Sequence, residues 1–137
     1  MNITIKAFIS KACISLMLLG GLMGCASVDQ LVTISGDVSY RERIALPDNA
    51  RLTVQVKDVS LQDTKAIVVA EKVYQQVNTP QSFEFQIAGD QFIAGHRYSI
   101  GARIEVNGKL WFINTQAYSI DVNETQPINV IVNKVGG

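Results

Sequence analysis

From Leu31 onward, apolar and polar positions alternate with a period of two. Val32, Ile34, Gly36, Val38 and Tyr40 alternate with Thr33, Ser35, Asp37 and Ser39; Leu52, Val54 and Val56 alternate with Thr53, Gln55 and Lys57. Phe83, Phe85 and Ile87 follow the same rule, as do Tyr98, Ile100, Ala102, Ile104 and Val106, and then Ile128, Val130 and Val132. Successive side chains of a strand point to opposite faces, so each run reads as a strand with one face buried. Residues 66–74 and 110–115 are apolar on both faces over part of their length. They read as strands covered on both sides or lying near an edge contact, and the run Ala66-Ile67-Val68-Val69-Ala70 reads as a well-covered strand rather than a binding face.

Turn formers fall between the runs: Pro47-Asp48-Asn49, residues 60–65, Asn78-Thr79-Pro80, residues 88–95, and Asn107-Gly108. Asn-Gly favours a type I′ hairpin turn, because both central residues tolerate positive φ. Pro127 stands at the opening of the last strand, where a missing N–H is tolerated. No sustained 3.6-residue period appears after residue 30. About seven strands at this spacing predict an all-β domain, a sandwich or small barrel.

The first residues follow a different pattern. Lys6 and Lys11 precede a run at 12–23 that is apolar apart from Ser15 and its glycines. About a dozen residues fall short of the ~20 that cross a bilayer as a helix, and a short apolar run with basic flanks is a signal-peptide pattern. It ends in Leu22-Met23-Gly24-Cys25, which resembles the bacterial lipobox, with Met23 a modest departure from the smaller residues usual there. The resemblance implies a diacylglyceryl thioether on Cys25, cleavage before it and acylation of the new amine. Ala26 then implies transport to the outer membrane, since aspartate at that position often marks inner-membrane retention. The expected organisation is a leader at 1–24, an acylated cysteine and short tether at 25–30, and one domain at 31–137. At ~3.5 Å per extended residue the tether reaches no more than about 20 Å.

Composition narrows the function. Of the 137 residues, 12 are Lys or Arg and 12 are Asp or Glu. Loss of Lys6 and Lys11 with the leader leaves 10 basic against 12 acidic residues, a charge of −2. Without a basic block, nucleic acid is not an expected partner. Of the two cysteines, Cys13 lies in the leader and Cys25 carries the lipid, so no disulfide is expected.

The segment Ile34-Ser35-Gly36-Asp37-Val38-Ser39-Tyr40-Arg41-Glu42-Arg43-Ile44-Ala45-Leu46-Pro47 and the segment from Leu52-Thr53-Val54 to Leu61-Gln62-Asp63 resemble the YbaY lipoproteins. That family is grouped with the YscW-type lipoprotein chaperones, or pilotins, of type III secretion. Pro80-Gln81-Ser82-Phe83-Glu84-Phe85, His96-Arg97-Tyr98-Ser99-Ile100-Gly101-Ala102-Arg103-Ile104 and Gly108-Lys109-Leu110-Trp111-Phe112 fit as well. The resemblance implies an antiparallel β-sandwich behind a lipid anchor. For its pilotin branch it implies binding of a secretin subunit and escort to the outer membrane. It brings no catalytic residues.

Candidate chemistry is sparse. His96, the sole histidine, reads as a solvated loop residue, with no partners at a spacing that suits a metal site or a Ser/His triad. Asp58 and Asp63 lack the spacing of a calcium loop and read as turn formers that bond their own backbone. Arg41-Glu42-Arg43 reads as charge protecting an edge strand, with docking of an acidic partner or lipid phosphate by Arg41 and Arg43 as the competing reading. Of Trp111 and Phe112, adjacent on a strand, one is expected to face out; an exposed ring there would suit a partner or sugar, though a second core contact is favoured.

No catalytic residues, metal or cofactor are expected. The function that follows is non-enzymatic: an outer-membrane-anchored periplasmic lipoprotein working by protein–protein contact, pilotin-like, with a secretin-like envelope partner. The alternative is a periplasmic glycan-binding module built on Trp111, Tyr74 and Tyr118. A hydrolase ranks last, for want of a nucleophile–base pair.

Overall fold

The computed structural model describes residues 30–124 and 126–136. The expectations for the leader, for cleavage and for Cys25 lie outside these residues. Nine strands form two sheets: β1 (Leu31–Ser39), β2 (Ala50–Asp58), β3 (Ile67–Gln75), β4 (Gln81–Ala88), β5 (Tyr98–Val106), β6 (Lys109–Ile113), β7 (Tyr118–Ile120), β8 (Ile128–Ile131) and β9 (Asn133–Lys134). One 3₁₀ turn, Gly89–Gln91, is the only helical element among the described residues. The smaller sheet has the order β4-β1-β8. The larger runs β3-β2-β5-β6-β9, with β7 also on β5. All five period-two runs and both runs apolar on two faces form strands, and the all-β sandwich expectation holds.

Two features escape the periodicity. Strands β7 and β9 are three and two residues long, too short to show a period. Strand β7 pairs with the first part of β5 (Tyr98↔Ile120) and β6 with the last part (Val106↔Lys109). Asn114 fills the gap between them, its Oδ1 accepting from the Ala102 N–H at 2.9 Å. The sheets are antiparallel except at one pair: β8 runs parallel to β1, Gly36 opposite Ile128 and Ser39 opposite Ile131. The chain leaves β7 at the end of the sandwich where β1 begins, and so enters β8 in the same direction as β1.

The alternating apolar positions meet between the sheets. Leu52, Val54 and Val56 of β2 and Ile100, Ala102 and Ile104 of β5 are buried with Ile34 and Val38 of β1, Phe83, Phe85 and Ile87 of β4, and Val130 of β8. This continuous apolar layer is the main source of stability. The β5–β6 hairpin turns through Asn107 at φ 54° and Gly108 at φ 77°, as the type I′ expectation requires. Gly36 serves contact rather than conformation: a Cβ there would lie 1.9 Å from the backbone oxygen of Ile128. The parallel β1–β8 pair needs a residue without a side chain at that position.

Candidate contact surface

The end of the sandwich where β1 starts is built by the connection between β4 and β5. The Gly89 N–H donates to the Gln30 carbonyl at 2.9 Å, which joins this connection to the chain entering β1. Phe92 packs edge-on to Tyr98, ring centroids 4.9 Å apart at 82°. The Ile93 N–H donates to the Tyr98 hydroxyl at 2.7 Å, and the His96 N–H to the Ile93 carbonyl at 3.0 Å. Beside this connection lies a cleft of about 590 Å³, walled by Val32, Phe92, Ile93, Tyr98 and Ile120, with His96 and Asp121 at its polar side.

His96 differs from the sequence reading. Its Nδ1 lies 2.6 Å from Asp58 Oδ2, and Asp58 is nearly buried at the end of β2. The antiparallel pairing of Asp58 with Tyr98 brings the two together across 38 positions of chain, a proximity that spacing alone does not reveal. Asp58 also forms the expected turn, its Oδ1 accepting from the Ser60 N–H at 3.0 Å. The hydrogen bond from His96, followed by those of Ser60, lowers the Asp58 pKa from 3.8 to about 2, against the opposing effect of desolvation. Among the described residues the only hydroxyl at the pair is that of Ser60, which bonds Asp58 and not His96 and accepts from the Arg97 N–H at 2.7 Å, so the pair joins β2 to the connection before β5. Asp63 stands exposed in the next turn. No group of three metal-ligating side chains occurs among the described residues.

Arg41 and Arg43 are both exposed. They do not guard an edge strand: residues 40–46 are irregular backbone crossing from β1 in one sheet to β2 in the other. Tyr40 pins this crossing, its hydroxyl donating to the Ile44 carbonyl while its ring stacks on Phe112 at 4.5 Å and 23°. Phe112 is fully buried, which corrects its place among candidate partner contacts. Alternation turns it inward from β6, and Trp111 is left half-buried against the edge of the core.

The three aromatics of the glycan reading do not converge. Tyr74 lies on β3 and Trp111 on β6, with β2 and β5 between them; three strand spacings amount to about 14 Å. The Tyr118 hydroxyl is engaged by the Ile131 N–H at 3.0 Å.

The largest departure is β3. The run at 66–70 reads as a covered strand, with an edge position as the alternative for 66–74, and the alternative is what forms: β3 is the outermost strand of its sheet, paired among the described residues with β2 alone. Ile67, Val68 and Val73 are 58, 45 and 37% exposed. Lys72 crosses to the other sheet, donating to the Glu84 carbonyl with its ammonium 5.6 Å from the centre of the Phe85 ring. It closes the side of the sandwich between β3 and β4 and leaves the β3 backbone edge without a partner strand among the described residues.

Residues 29–132 match the model of the type III secretion system lipoprotein chaperone family, YscW. The chain belongs to this family. A pilotin of the type II secretion system of Vibrio cholerae, described as an alternative pilotin, superposes with a TM-score of 0.72 at 41% identity, covering 79% of this chain and 100% of the other. The uncharacterized lipoprotein YbaY of Escherichia coli (strain K12) is 35% identical over 86 residues, 61% of this chain. That match spans 45% of the length of the YbaY lipoprotein. The YbaY and pilotin resemblances of the sequence therefore hold, and they support a pilotin-like role.

Proposed function

We propose that the chain is an outer-membrane-anchored chaperone that captures a secretin-like subunit of an envelope secretion channel and keeps it at the membrane. Lipid on Cys25 supplies the location, and the domain supplies the grip. The observation that carries this reading is the free edge of β3. Over nine residues it offers backbone N–H and C=O groups beside the exposed Val68 and Val73. An extended client segment would add as a further strand, held by main-chain hydrogen bonds and selected by alternate side chains. Nothing in this mechanism needs a catalytic group, a metal or a cofactor.

The test uses the full chain in cells that produce a secretin subunit. Val73→Lys places a charge on the edge, a device that discourages strand pairing, at a position exposed enough to leave the core intact. It should reduce co-purification of the secretin and its arrival in the outer-membrane fraction while circular dichroism stays unchanged. Cys25→Ser should abolish fatty-acid labelling and leave capture by the domain intact. Undiminished capture by Val73→Lys and Val68→Lys variants would remove β3 as the docking edge. Capture of glycan instead of secretin would favour the alternative reading.

A further inference from the structure

The exposed apolar side chains are not spread evenly over the domain. Large hydrophobic residues stand out at Leu31, Leu61, Ile67, Val68, Val73, Ile93 and Val135. Strand register shows where each lies. Leu31 opposes Ala88 at the start of β1, and Ile93 follows in the connection that bonds Gln30 and Tyr98. Tyr98 opposes both Asp58 and Ile120, and Asp58 opposes Ile67. Leu61 sits in the turn between Asp58 and Ile67, tied down where the Val59 N–H meets the Arg97 carbonyl at 2.8 Å. Leu31, Leu61, Ile67 and Ile93 thus share one end of the sandwich, with Val68 next to them. Leu31, Leu61, Ile67 and Ile93 are 60, 61, 58 and 56% exposed, the four highest values in the set. Toward the opposite end, with Ala50, Val106 and the Asn107-Gly108 turn, lie only the less exposed Val73, opposite Thr53, and Val135, whose N–H bonds the Trp111 carbonyl.

This end is also where the chain enters the domain at Gln30. Gln30 stands five positions after the lipid-bearing Cys25, which holds it within about 20 Å of the bilayer. The charges around the apolar cluster are of mixed sign, with Lys65 and Arg97 exposed beside Asp63, Asp90 and Asp121. They offer no basic patch for anionic headgroups, so apolar contact is the attraction available.

We infer that Leu31, Leu61, Ile67 and Ile93 form a lipid-contacting foot that seats this end of the domain in the interfacial layer of the bilayer. The inference rests on the lipid anchor of the proposed function and adds an orientation to it. Seated so, β3 rises from the membrane surface beginning at Ile67, and its free edge meets a client beside the bilayer. The foot also explains why the most exposed apolar residues gather at the tethered end, where water contact would otherwise be costly.

The test labels the acylated full-length protein after reconstitution into phosphatidylethanolamine vesicles. Once Cys25 is acylated and the leader removed, the chain has no other thiol, so single cysteines can be introduced. Leu61→Cys, Ile67→Cys and Ile93→Cys would each carry an environment-sensitive fluorophore, as would Asn107→Cys at the far end. Quenchers attached to lipid near the headgroup should abolish most of the fluorescence at 61, 67 and 93 and leave that at 107 unchanged. Leu61→Asp combined with Ile93→Asp should restore fluorescence at 67 without releasing the protein from vesicles. If the protein floats with the vesicles but all four labels are equally unquenched, the foot is refuted and the anchored-chaperone reading stands. If it does not float, the anchor fails and the foot fails with it. Quenching at 107 equal to that at 61 overturns the orientation.

Discussion

Truncation of Phe112 separates the structural from the binding reading of the Trp111-Phe112 pair. Phe112 is fully buried and stacks on Tyr40 with ring centroids 4.5 Å apart. Removing a buried phenylalanine to alanine costs about 3–5 kcal/mol, through lost transfer free energy and the cavity left behind. Domains of this size hold only about 5–15 kcal/mol in all. At roughly 4 °C per kcal/mol, Phe112→Ala should lower Tm by about 12–20 °C. Tyr40 would lose its stacking partner, so the crossing at 40–46 that carries Arg41 and Arg43 should loosen as well. Trp111 is only half-buried, and on area alone its truncation should cost about 1–2 kcal/mol. Urea unfolding of both variants checks this: the midpoint should fall far more for Phe112→Ala, with similar slopes if the unfolded state is unchanged. A loss below about 1 kcal/mol at Phe112, or a larger loss at Trp111, would refute the inward assignment of Phe112.

Two further outcomes follow from close contacts. Gly36→Ala should destabilise the domain by about 1–3 kcal/mol, because its Cβ meets the Ile128 carbonyl; hydrogen exchange should show faster loss of protection at Val130 and Val132, and a stabilised variant would contradict the close approach. Asp58 titrates near 2 in the folded chain and near 3.8 when unfolded, so its contribution is present above about pH 4 and is lost as pH falls toward 2. Asp58→Asn should therefore flatten the dependence of Tm on pH between about 4 and 2 relative to the parent chain, and equal slopes would show that the His96 contact does not favour the charged carboxylate.

Much of the fold was legible because alternation is a local property. Leu52, Val54 and Val56 must share one face of any strand they form, and Asn107-Gly108 carries its turn preference in its own backbone. The resemblance of the motifs to the YbaY lipoproteins was likewise visible in the chain, since it is carried by those same patterns of strand and turn. Which strand lies outermost is not local. The apolar run at 67–70 suits a covered strand and an edge strand equally, and only the order β3-β2-β5 leaves Ile67 and Val68 exposed. The direction of β8, the pairing of His96 with Asp58 and the gathering of Leu31, Leu61, Ile67 and Ile93 at one end have the same origin. Each depends on residues distant in sequence meeting through sheet register, and register is set by how two whole faces pack together.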